Sequence, residues 1–162
     1  MALILGGSFV ADFEHEHDGT PVSQVVQDPL DAGREALRRR DWAEGYELLK
    51  AADEADELGS EDLLLLGEAA MFTGHMEELI AYLEWAYRGY LQQGNTLRAA
   101  YVATAIAHDQ KNNLQTAVAN GWMGRAKRLL DLEDEAPEHG YWALQRSLMQ
   151  LGDGSFDEAF QL

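Results

Sequence analysis

From Leu30 onward the chain repeats one arrangement: apolar residues return at helical spacing, a short polar break follows, and helical spacing resumes. Leu30, Gly33, Ala36 and Leu37 form the first set, and Trp42, Gly45, Tyr46, Leu48, Leu49 and Ala52 continue it after Arg40-Asp41. A second pair covers Leu63–Met71 and Met76–Tyr90 around Thr73-Gly74. A third covers Thr96–His108 and Leu114–Leu132 around Lys111-Asn112-Asn113. A fourth opens near Tyr141, breaks at Gly152-Asp153-Gly154 and restarts at Phe156. Helices separated by breaks this short turn back on one another, which predicts antiparallel helical hairpins. Abundant Ala, Leu and Glu, with only three prolines in 162 residues, favour helix over sheet.

Where the two helices of a hairpin cross, a small residue is needed because the backbones approach closely. Gly33, Gly67, Ala105 and Ser147 fill that place, and Gly45, Leu79, Ala117 and Ala159 stand twelve residues later, facing back across the hairpin. The tips read Asp41-Trp42, His75-Met76, Asn113-Leu114 and Ser155-Phe156, each with an apolar residue to plug the turn. Successive hairpins are offset by 34, 38 and 42 residues. Each step of four adds about one helical turn. Fixed geometry within hairpins and variable length between them is what stacked hairpins tolerate. The expected fold is all-α: a right-handed superhelical stack of about three and a half hairpins over residues 29–162. A short acidic arm, residues 1–28, precedes it, with Asp12, Glu14, Glu16, Asp18 and Asp28 and no basic residue. Ala2–Phe13 reads as a short strand or irregular segment, and Asp28-Pro29 as a helix start with proline in the first turn.

These phrases resemble the tetratricopeptide repeat family. Leu63-x-x-Leu66-Gly67-x-x-Ala70 followed by Gly74-His75-Met76-Glu77-Glu78-Leu79 is the best match, although that family favours alanine where Leu79 stands. More narrowly, Arg40-Asp41-Trp42, Gly94-Asn95-Thr96-Leu97-Arg98-Ala99-Ala100 and the run Gly121–Leu130 are similar to the long hairpin repeats of MalT-like, LuxR-type bacterial regulators. The resemblance implies a protein–protein interaction module, the sensory segment of such a transcription regulator, with protein or peptide as partner. The alternative is a free-standing scaffold or adaptor. No helix-turn-helix motif is present, and Phe156 opens a fourth outer helix near the last residue, so a longer protein is expected.

Charge narrows the partners. A net charge of −17 repels phosphate, which argues against direct nucleic-acid binding and against anionic membrane surfaces. The absence of cysteine removes disulfides, thiolate nucleophiles and cysteine metal sites, and fits a cytoplasmic protein. No Lys or Arg precedes Arg34, so the basic start of a signal peptide is missing, and Leu63–Leu66 is too short to span a bilayer.

Candidate chemistry is sparse. In an extended strand His15 and His17 share a face, and with Glu14, Glu16 and Asp18 they form the one metal-type cluster, the basis of a third reading as a small metal-dependent enzyme. A solvated acidic arm is the simpler account, and no metal or other cofactor is expected. Glu77-Glu78 and Asp53-Glu54-Asp56-Glu57 read as solvated charge rather than acid–base pairs. Trp42, Trp85, Trp122 and Trp142 read as inter-helix packing, and His75, His108 and His139 as turn or cap residues. Arg38-Arg39-Arg40 offsets the dipole of the first helix. The inner helices should line a concave binding surface, with Arg34, Arg38, Glu68, Phe72, Asp109, Gln110 and Gln145 facing the groove. No catalytic residue is expected.

Overall fold

The computed structural model describes residues 28–152. The expected arm before Asp28, with His15 and His17, and the fourth tip with its outer helix lie outside the described residues. Within them the chain is all-α, with helices α1 (Pro29–Arg38), α2 (Trp42–Ala55), α3 (Ser60–Thr73), α4 (Met76–Gln92), α5 (Thr96–Asn112), α6 (Thr116–Leu130) and α7 (Pro137–Gly152). Helix α1 starts as the sequence predicts: the Asp28 carboxylate accepts from the Leu30 N–H at 3.1 Å, and Pro29 occupies the first helical position. None of the described helices is long and apolar enough to cross a membrane.

One closure recurs after α1, α3, α4 and α5. Arg40 (φ 63°), Gly74 (84°), Gly94 (70°) and Leu114 (60°) each adopt the left-handed conformation. The next N–H then reaches back five residues, from Asp41 to Ala36, His75 to Ala70, Asn95 to Tyr90 and Gln115 to Gln110, at 2.8–2.9 Å. This pattern satisfies the orphaned carbonyls at each helix end. Asp41 and Asn95 then cap the following helices, accepting from the Glu44 and Arg98 N–H groups at 3.2 Å.

These turns correct the third hairpin. Helix α5 runs through Lys111 and Asn112, and the left-handed residue is Leu114 rather than an asparagine. Leu114 does not plug the turn; it is 88% exposed. Counting seven residues back from the turn residues inside hairpins, Arg40, Gly74 and Leu114, gives Gly33, Gly67 and Ala107, and counting five forward gives Gly45, Leu79 and Ala119. The spacing of twelve holds, but its third pair is Ala107 and Ala119, both fully buried, not Ala105 and exposed Ala117.

Close approach explains the small residues. A Cβ on Gly33 would stand 2.9 Å from the Leu49 side chain, and one on Gly67 3.3 Å from Leu83. Gly45 is tighter still, since its Cβ would overlap the Leu37 side chain. Leu37 follows Gly33 while Gly45 precedes Leu49, so α1 and α2 run antiparallel. Side chains from all seven described helices merge into one apolar core, with Leu49, Leu66, Val102, Ile106 and Leu130 among its fully buried members. Helix α1 also meets α3, α2 meets α3, α4 meets α5, and α7 packs on α5 and α6.

Candidate functional site

Between α3 and α5 the helices leave an open groove of about 280 Å³. Leu64, Leu65, Glu68 and Met71 form the α3 wall, Leu79 and Leu83 of α4 its floor, and Tyr101, Ala105, His108 and Asp109 the α5 wall, with Tyr141 of α7 closing one end. On α3 these wall positions recur every three or four residues, one stripe of a helix whose other sides meet α1, α2 and α4. The groove is mainly apolar, and Met71 is 40% exposed in it.

Its charges do not cancel. Arg98 and Glu61 pair across the groove at 3.6 Å, and the Arg98 guanidinium also lies 5.2 Å from the centre of the Tyr101 ring. His108 has both ring nitrogens engaged: Nδ1 donates to Gln145 at 2.9 Å and Nε2 accepts from the Asn112 amide at 3.0 Å. Glu68 and Asp109 remain. Burial pushes the Asp109 carboxyl above its ordinary value, with nearby His108 opposing. Burial, with Tyr101 and Asp109 alongside, pushes Tyr141 up to about 12.

Of the seven residues expected to face a groove, Glu68 and Asp109 line this one. Arg34 is engaged elsewhere, its guanidinium bidentate on buried Asp62 of α3 at 2.7 and 2.9 Å, which ties α1 to α3. Arg38 is exposed and pairs with Glu35 at 2.6 Å. Phe72 stacks on Trp42 of α2 with ring centres 4.2 Å apart, on the side of α3 facing the first hairpin. Gln110 is half-buried and its carbonyl closes the α5 turn, while Gln145 is buried against His108. Sequence reasoning missed the apolar wall and the two tyrosines. The wall's signal was the i, i+3, i+4 stripe of Glu61, Leu64, Leu65, Glu68 and Met71, which Phe72 also shares by spacing although it packs on Trp42.

Other expectations fare unevenly. Glu78 is still 41% exposed, but it is also hydrogen-bonded: it accepts from Tyr46 and from Tyr82 (3.4 Å), and Lys50 stands 3.3 Å away, joining α2 to α4. Tyr46 donation, with Lys50 beside it, holds the Glu78 carboxyl below its ordinary value. Burial pushes Tyr46 up to about 12. Trp122 and Trp142 are buried packing residues, and Trp142 donates to the Met123 carbonyl at 3.1 Å. Trp85 is 44% exposed. His139 staples the last loop, accepting from the Ala136 N–H and donating to the Leu130 carbonyl, each at 3.2 Å. Among the described residues no three metal-type ligands come together. No protein-family model matches the chain, and no curated protein matches it.

Proposed function

We propose that this chain is a protein-interaction module of tetratricopeptide-like architecture that docks a segment of a partner protein in the α3–α5 groove. The observation carrying this reading is the groove itself, with apolar walls partly open to solvent and two carboxylates, Glu68 and Asp109, that no described residue pairs in an ion pair. Apolar walls supply affinity, and the excess negative charge selects partners bearing Lys or Arg. Among the described residues the α3 stripe of Leu64, Leu65 and Met71 is only partly covered, which suits the helix-in-groove mode of recognition. The work is recognition without bond chemistry. Membership of a LuxR-type regulator rests on the phrases Arg40-Asp41-Trp42, Gly94–Ala100 and Gly121–Leu130 alone, and a separate adaptor uses the same groove in the same way.

An array of short amphipathic peptides probed with purified protein tests the reading. Binding to a subset of them should be lost in Ala105→Trp, which fills the groove from its α5 wall, while circular dichroism stays helical. Unchanged binding by a folded Ala105→Trp protein refutes it.

A further inference from the structure

Asp109 is 9% exposed, yet among the described residues no hydrogen-bond donor or ion-pair partner reaches its carboxylate, and the side chain lines the groove. Its oxygens are not among the buried atoms left without a partner, so they meet the solvent of the groove, where an incoming cation can reach a carboxylate that burial has already partly stripped of water. The one charged neighbour that acts on it, His108, has both ring nitrogens hydrogen-bonded to Gln145 and Asn112, and the groove's Arg98 pairs with Glu61 three turns away. Tyr141 faces Asp109 from α7 and packs, tilted by 31°, against Tyr101 further along the groove with ring centres 5.0 Å apart. Carboxylate and aromatic face together are what an organic cation needs: a charge partner and a ring surface for its apolar stem.

We infer that Asp109, Tyr101 and Tyr141 form a pocket for the ammonium or guanidinium end of a Lys or Arg side chain on the docked partner. The inference rests on the docking reading and names the side chain that sets its specificity. A bare metal ion is a poor fit, because a single carboxylate without further ligands does not hold one. An anion is excluded by sign. The apolar stripe of Leu64, Leu65 and Met71 continues from the pocket along α3, which gives a chain carrying that cation further surface to lie on and favours a peptide over a free amine.

The test uses n-butylammonium, the lysine side chain without its backbone, against n-butanol, followed by amide chemical shifts of the whole chain. Butylammonium should shift Asp109, Tyr101 and Tyr141 saturably in the millimolar range, butanol should not, and Asp109→Asn should abolish the difference. On the peptide array, groove-binding peptides with a central Lys should bind about tenfold tighter than their norleucine counterparts, a ratio that collapses in Asp109→Asn. No saturable shift, equal response to butanol, or a Lys preference that survives Asp109→Asn overturns the inference. In that event binding that remains sensitive to Ala105→Trp leaves the docking reading standing, whereas insensitivity to Ala105→Trp removes both. Butylammonium binding without any Lys preference among the peptides assigns the pocket to free amines and overturns the peptide assignment.

Discussion

At the scale of single residues, two carboxylates show how environment sets the value of a charge. Asp109 has its carboxyl raised by burial, so the folded state holds its proton more tightly than the unfolded chain does. The stability it allows is therefore full below its unfolded pKa and is lost as pH rises through the raised folded value. Asp109→Asn removes that loss. The variant should match the parent at low pH and exceed it by roughly 1 kcal/mol at pH 7, read from urea unfolding at several pH values. Glu78 has the opposite sign: its carboxyl is lowered first by Tyr46, so its contribution is present above its unfolded pKa and fades as pH falls. Tyr46→Phe should cost about 1 kcal/mol near neutral pH, and less in acid, by the same measurement. Neither role was legible in the sequence. Glu78 stands next to Glu77 in an acidic run, and only the packing of α2 on α4 brings Tyr46 and Lys50 to it.

At the scale of elements, the hairpins and their twelve-residue internal spacing were readable because close helix crossing demands small residues, and Gly33, Gly45 and Gly67 supply them. The third hairpin was misread by two residues for a physical reason. Asparagine at 112 and 113 advertises a turn, but the carbonyls of α5 are closed by N–H groups of Leu114 and Gln115, which forces left-handed backbone on a leucine. That conformation strains a residue with a Cβ, so Leu114→Gly should stabilise the chain by roughly 1 kcal/mol, seen as a higher melting temperature. Gly45→Leu should do the reverse and destabilise by about 3 kcal/mol or more, because Leu37 already fills the space. The groove-facing residues were harder to place. Helix α3 has neighbours on several sides, and periodicity alone does not say which stripe meets α2 and which is left open. Phe72 and Glu68 lie one turn apart, yet one stacks on Trp42 and the other lines the groove.

At the scale of the whole molecule, an excess of 29 acidic over 12 basic residues gives a field that attracts cationic partners and weakens with salt. The groove adds Glu61, Glu68 and Asp109 against Arg98 over an apolar surface, which is the combination the docking proposal needs. The most direct measurement is amide hydrogen exchange of the chain with and without the tightest-binding basic amphipathic peptide. The account predicts new protection along α3 and α5, centred on Leu64, Leu65, Met71, Tyr101 and Ala105. Protection centred instead on the exposed Trp85 and Arg88 of α4, with the groove unchanged, would contradict it.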